Sequence, residues 1–218
     1  MKTNFKNMLY VGVLALALVG CKDKAKEAET SAAKAAAEAK VESVKYTVDT
    51  DASAIEWKGF KPTGTHNGTI KLDSGVFALN GNTIESGSFL IDMKSITVLD
   101  IPAEEKDNAK LTGHLKSPDF FDVENHPSSA FEVTGVSEAE GKTMLSGNLT
   151  IKGVKNNITF PVSVTETGNA VSLTSETFTI DRSKWNVKYG SKSFFDNLGD
   201  KFINDDIELK IDVTAKKA

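Results

Sequence analysis

The chain of 218 residues has a single cysteine, Cys21, so no disulfide can form within it and the folded part must be stable without one. It has no excess of basic residues: 26 Lys and Arg stand against 30 Asp and Glu, which leaves no electrostatic footprint for nucleic acid. It lacks a long apolar run. The apolar stretch from Met8 to Val19 is shorter than the roughly 20 residues that a membrane-spanning helix needs. There is no Gly-x-Ser-x-Gly elbow, phosphate-binding loop or dinucleotide fingerprint. His66, His114 and His126 show no His-x-x-x-His or Cys/His spacing, so no metal site is expected. Asp119 and Asp122 suit turns and caps, and Asp181 beside Arg182 suits an ion pair, better than acid–base chemistry. These absences point away from an enzyme. No internal repeat is visible.

What is present begins at the N-terminus. Lys2 and Lys6 precede the apolar stretch, and residues 1–20 read as a signal peptide. Its end, Leu18-Val19-Gly20-Cys21, resembles the lipobox of bacterial lipoproteins. The resemblance implies a diacylglycerol on the Cys21 thiol and cleavage just before it. Two or three acyl chains suffice for stable anchoring, where one is marginal. The mature chain would be two units more negative than the −4 of the whole, so attachment has to come from the lipid. Lys22, and not an aspartate, follows the cysteine. In lipoproteins of the kind this resembles, an aspartate in that place favours the inner membrane, so the resemblance implies the outer membrane, with the protein facing the periplasm or the cell surface.

Residues 21–44 carry the cysteine and then Ala, Lys and Glu with a little Ser, Thr and Val, and no aromatic residue. The run Ala32–Lys40 has high helix propensity without a wide apolar stripe. A semi-rigid, partly helical tether is expected there. Ser31 and Lys34 match Ser-x-x-Lys only formally, since they lie in this solvated segment.

Residues 45–218 suit one domain with a sizeable core. Apolar and polar residues alternate through Ile55–Lys58, Ile70–Asp73, Gly87–Met93, Ala130–Val133, Phe178–Ile180 and Ile207–Val213. Alternation of period two marks strands with one buried face. Asn80-Gly81 is a tight-turn signal, and Asn, Gly, Asp and Ser clusters separate the other segments. The fold class expected is all-β, an antiparallel barrel or sandwich. One interruption, Pro102–Leu111, has proline and acids where a helix starts, with Thr112-Gly113 to end it. A second turn is expected at Ser117–Phe121.

Inward positions of such a barrel are apolar and partly aromatic: Trp57, Phe77, Phe89, Phe131, Leu149, Ile151, Phe160, Phe178, Ile180 and Trp185. They would line a cavity for a long apolar ligand, or fill the interior so that only surface loops bind a partner. Both pictures need the same inside-out pattern.

Several stretches carry a family likeness. They are Tyr46–Asp49 with Ala54–Trp57; Ser95-Ile96, Leu111, His114–Val123 and His126-Pro127; Gly147–Val154; Thr179–Trp185; and Asp206–Leu209. In this order they resemble the YceI-like polyisoprenoid-binding family, over the whole of residues 45–218. The resemblance implies an extended, lipocalin-like antiparallel β-barrel with a short helical insertion and a bound isoprenoid or other lipid, of polyisoprenoid, quinone or fatty-acid type, as partner. His114 and Arg182 would then offer polar contacts at the cavity mouth. A cofactor is not expected, and a homodimer is compatible with the sequence. Two departures bear on the cavity: Lys184-Trp185 stands where many relatives carry Asp-Phe, and Lys188–Phe195 is an extra stretch.

Overall fold

The computed structural model describes residues 25–218. The signal peptide, residues 1–20, and Cys21 lie outside them. Twelve strands make one sheet: β1 Lys26–Glu27, β2 Glu29–Ala32, β3 Val44–Val48, β4 Ala54–Lys61, β5 Gly64–Asn80, β6 Thr83–Val98, β7 Ser128–Ala139, β8 Lys142–Ile151, β9 Val154–Thr167, β10 Ala170–Ser175, β11 Phe178–Asp181 and β12 Asp206–Lys217. Helix α1 spans Lys106–Lys116.

The sheet closes on itself. Both β3 and β4 pair with β5 on one side and β12 on the other, and so form one broken stave. Both β10 and β11 pair with β12 and form a second broken stave. With β5 to β9 and β12 these make a barrel of eight staves, antiparallel except for the short β1–β11 pair. This is the extended, lipocalin-like all-β barrel with a helical insertion. The alternating segment Ile70–Asp73 is part of a longer strand, β5, which continues through Val76–Leu79 and turns into β6 at Asn80-Gly81, with Gly81 at φ +55°. Register shifts between Thr69 and Lys71 and between Leu72 and Ser74 keep the long β5–β6 pair bent around the core.

Helix α1 starts later than Pro102 and runs through Thr112-Gly113. Residues before it form a turn, in which the Glu105 amide donates to the Pro102 carbonyl. The Asn108 side chain donates to the Val98 and Ile101 carbonyls at 3.1 and 2.7 Å, fixing the turn to the end of β6. Gly113 does not stop the helix, because the C-terminal carbonyls are satisfied further on: the Ser117 amide and hydroxyl both donate to the His114 carbonyl. Ser117–Phe121 is a turn, as expected.

The Ala/Lys/Glu-rich segment is the main correction. It is not helical. Between β9 and β11 the barrel wall has a gap, since β10 pairs with β9 only over Val162–Thr167. The N-terminal segment fills it: Lys26 and Glu27 pair with Phe178 and Thr179, and Glu29–Ala32 pair with Asn156–Thr159. Ala28 is buried in the core. The chain then runs extended across the outside of the barrel. The Lys34 amide donates to Asn148 Oδ1, the Ala37 amide to the Val133 carbonyl and the Lys40 amide to Glu85. Helix propensity is a fraction of a kcal/mol per residue, less than two unpaired strand edges gain from a partner. Residues 26–40 are therefore a strap built into the wall.

The core is not uniform along the barrel axis. At the end of the β5–β6 and β7–β8 turns a belt of rings runs from strand to strand: Tyr46–Phe77, Phe77–Phe89, Phe89–Phe131, Phe131–Phe160 and Phe160–Phe178, with centroids 4.3–6.3 Å apart. Gly147 makes the belt continuous. A Cβ there would stand 2.1 Å from the Phe131 ring, so the missing side chain on β8 is the space through which Phe131 reaches Phe160. This end is packed solid apart from a void of about 70 Å³.

Candidate functional site

Away from the belt the barrel is hollow. A cavity of about 350 Å³ opens beside the β4–β5 turn, α1 and the 188–203 loop, where exposed Lys61, Tyr189 and Lys201 border it. That volume falls in the range of ligand pockets. Its walls come from almost every stave and from α1. Ile55 and Trp57 are on β4, Ile91, Met93 and Ile96 on β6, Leu149 and Ile151 on β8, and Ile207 and Leu209 on β12. Leu111 and Leu115, one turn apart on α1, close one side, with Phe120 and Phe121 following. Ile70, Leu111, Ile151, Ile207 and Leu209 belong to inward rows yet remain only half-buried. Their neighbours toward the belt, Val213 and Ala215, are buried. The inward face is thus mostly apolar and incompletely covered chiefly around the cavity, with Ile211 beside the small void half-buried as well.

The residues singled out from sequence divide between the two halves. Trp57, Leu149, Ile151, Ile180 and Trp185 line the cavity, as do His114 and Arg182. Phe89, Phe131, Phe160 and Phe178 line only the small void in the belt, with Leu149 touching both spaces. Phe77 lines neither and is packed between Tyr46 and Phe89. Their alternation was read correctly, but their place along the axis puts them in the filled end. Met93, Ile96, Leu115, Ile203 and Leu209 line the cavity and were not singled out. The i, i+4 spacing of Leu111 and Leu115 was the available signal for the helical wall.

Arg182 lines the cavity but directs most of its bonds to the neighbouring loop. Its Nε donates to the Asn204 carbonyl at 3.1 Å, Nη1 to Val187 at 2.6 Å and Nη2 to Ile203 at 3.1 Å, and Asp205 lies 3.3 Å from Nη2. The guanidinium also faces the Phe120 ring at 5.3 Å. Burial pulls its pKa down, while Asp205 and Asp181 pull the other way. Arg182 therefore pins the 187–205 loop to the barrel end, a positioning role at the edge of the cavity. Trp185, fully buried, donates its Nε1–H to the Leu149 carbonyl at 2.9 Å. It is held in the wall beneath that loop. The extra stretch supplies Tyr189, whose ring meets the His114 ring at 4.4 Å, and the exposed Phe194 and Phe195.

A closed antiparallel barrel, filled at one end and hollow and apolar at the other, with a helix beside the opening, defines a lipocalin-like protein. The YceI-like domain family model matches residues 46–215, most of the chain, and the chain belongs to the YceI-like domain family. It is similar to a UPF0312 protein of Azotobacter vinelandii, 30% identical over 88 residues, covering 40% of this chain and 43% of the relative. A UPF0312 protein of Pseudomonas putida is 30% identical over 95 residues, 43% of this chain and 46% of the relative. The chain thus aligns with less than half the length of these curated relatives. Among solved structures it is similar in fold to Burkholderia cenocepacia BcnA, with TM-score 0.56 and 20% identity over 78% of this chain and 99% of the other. A polyisoprenoid binding domain from Saccharophagus degradans gives TM-score 0.58 and 13% identity over 80% and 99%.

Proposed function

We propose that the protein is a cell-envelope lipoprotein, anchored through Cys21, that binds a long apolar ligand of polyisoprenoid, quinone or fatty-acid type in the hollow half of its barrel, and that it is a binder and not an enzyme. The observation that carries this reading is the row of half-buried inward side chains, Ile70, Leu111, Ile151, Ile207 and Leu209, facing one cavity of about 350 Å³. Apolar surface kept from neighbouring atoms in this way has no structural use, because a filled core would bury it at about 25 cal/mol per Å². A chain of methylenes would gain about 0.8 kcal/mol for each one that leaves water. The solved relative described as a polyisoprenoid binding domain supports a ligand of this kind. The lipobox-like Leu18–Cys21 supports the anchor, and Lys22 after it supports the outer membrane.

Mass spectrometry of an organic extract of the chain from residue 22 onward, which keeps every strand described, tests the reading. A stoichiometric long-chain lipid is expected. A clean extract with no uptake of added lipids would sink it, and would leave the exposed aromatics of the 188–195 loop as a surface for a protein partner. Mass analysis of the full chain, expressed with residues 1–20 intact, tests the anchor: a diacylglycerol adduct on Cys21 at a new N-terminus is expected.

A further inference from the structure

Seven large apolar side chains stand exposed among the described residues, and four of them gather at one end of the barrel. Leu99 follows directly on β6, and its amide donates to the Asn67 carbonyl beside the cavity mouth. Tyr189, Phe194 and Phe195 lie on the 188–203 loop that borders the same opening. Val41, Val76 and Leu90 lie elsewhere. The loop is tightly built. Ser191 is fully buried; its carbonyl accepts from the Phe194 and Phe195 amides at 3.2 and 3.0 Å, and its hydroxyl from the Ser193 amide at 3.1 Å. The Ser193 hydroxyl donates to Asp205 at 2.7 Å, and the Ile203 amide to the Gly190 carbonyl at 2.8 Å. A fixed backbone thus holds the Phe194 and Phe195 rings in solvent, 41% and 48% exposed, at no gain to the fold. Lysines are interleaved with the rings. Lys188 Nζ stands 5.0 Å from the Phe194 centroid, and Lys192 Nζ 3.6 Å from that of Phe202. Lys61 and Lys201 border the mouth, both exposed. Among the described residues none of these four ammonium groups is within ion-pair distance of a carboxylate, whereas Lys40, Lys142, Lys155, Lys184 and Lys216 each pair with one. The loop itself has three lysines against Asp196 and Asp200, in a chain whose net charge is −4.

Exposed rings with unpaired ammonium groups laid over or beside them suit the boundary between lipid and water. The rings enter the acyl region, and the lysine stems reach back to the head groups. A lipid surface needs no complementary shape, and it can receive the rim of an open cavity without plugging it. A protein partner would have to match a rim around a hole, over the roughly 800 Å² a side of a stable interface. We infer that the mouth of the barrel is a docking face for a membrane of anionic phospholipids. Phe194, Phe195, Tyr189 and Leu99 enter the surface, and Lys61, Lys188, Lys192 and Lys201 meet the phosphates. This contact is separate from the anchor proposed at Cys21. It rests on the reading of the cavity as a lipid site, because it is the rim of that cavity that meets the membrane.

The test is flotation of the chain from residue 22 onward, which carries no acyl group, with two kinds of vesicle: phosphatidylcholine alone, and equal parts phosphatidylcholine and phosphatidylglycerol. Binding to the mixed vesicles is expected to be about tenfold stronger than to the neutral ones and to fall as salt rises. Phe194→Ser with Phe195→Ser should weaken it about tenfold, since two partly exposed rings no longer leave water. Lys188→Gln with Lys192→Gln should weaken binding to the mixed vesicles about tenfold and leave the neutral ones unchanged. Val76→Ser with Leu90→Ser removes apolar side chains exposed on the barrel wall and should change nothing. Phe195→Trp gives a readout from the loop itself: tryptophan emission should shift to the blue with mixed vesicles. No flotation with the mixed vesicles, equal flotation with both kinds, or a loss in Val76→Ser with Leu90→Ser as large as in the phenylalanine pair would each overturn the inference. So would a dimer seen in sedimentation velocity without lipid and dissolved by Phe194→Ser with Phe195→Ser, since a second copy would then cover the rings. Lipid in the organic extract with no flotation overturns this inference alone. A clean extract with no uptake sinks the cavity reading instead, and the two results come from separate samples.

Discussion

At the scale of single residues the barrel depends on one missing side chain. Gly147 lets Phe131 cross β8 to reach Phe160, and the ring occupies the space a Cβ would need. Gly147→Ala should therefore destabilise the protein by about 1–3 kcal/mol, the usual cost of overpacking, read as a lower urea midpoint. In the Phe131→Leu background the same change should cost markedly less, because the atoms it collides with are gone. Equal losses in both backgrounds would separate Gly147 from the belt. Alternation cannot reveal this. Phe131 and Trp57 obey the same period-two rule, and nothing local says that one belongs to a packed belt and the other to a cavity wall. Inward-facing identity was legible for all ten apolar positions singled out; their height along the barrel was not, since it depends on register between strands far apart in sequence. Likewise Arg182 could be recognised as a special residue beside Trp185. That three of its donors go to the Val187, Ile203 and Asn204 carbonyls depends on a loop whose path only the fold decides.

At the scale of elements the strap is the part least legible in the sequence. Ala32–Lys40 has the composition of a helix, and the extended form of the strap follows from edges on β9 and β11, the Asn148 side chain on β8 and the Val133 carbonyl on β7, which are in place only once the barrel has closed. Its far end is moored by Glu85. That carboxylate accepts from the Lys40 ammonium, the Ser43 hydroxyl and the Lys40 amide, and these bonds hold its pKa down from 4.5 to about 2, the Lys40 ammonium contributing most. A carboxyl with a depressed folded pKa stabilises fully above its unfolded value and less as the pH falls toward its folded value. The strap should thus loosen as the pH drops from 4.5 to about 2, seen as faster exchange of the Ala37 and Lys40 amides after correction for intrinsic rates. Glu85→Gln should loosen it at neutral pH and remove the dependence in that window. The near end has a different vulnerability. Deleting residues 1–32 exposes Asn156–Thr159 and Phe178–Thr179 as unpaired edges. Such edges recruit other chains, so the shortened protein should self-associate with rising concentration in sedimentation experiments while the longer one does not.

At the scale of the whole molecule, one barrel has a packed half and a hollow half, and with the proposed ligand in the hollow half stability and binding are divided between them. The belt supplies a rigid floor, and the hollow half gives up packing that it could have had. Filling that half should therefore separate the two properties. Ile151→Trp with Leu209→Trp removes room for about two methylenes, which at about 0.8 kcal/mol each weakens long-chain ligand binding about tenfold. Far-ultraviolet circular dichroism should be unchanged and the thermal midpoint equal or higher, since the new rings cover surface now half-buried. Unchanged uptake would mean that ligand does not occupy this cavity.

The strap also sets how far the molecule can stray. A loose segment from Cys21 to Lys45 would let the domain wander about 85 Å from its anchor at full extension, whereas a wall that begins at Lys26 leaves a leash of about 18 Å. Lys26 sits beside Phe178 of the belt and reaches Glu140 in the β7–β8 turn, at the end of the barrel away from α1 and the mouth. With the anchor proposed at Cys21, the barrel would be moored by its closed end, and a ligand leaving the mouth would be offered outward, away from the leaflet that holds the protein.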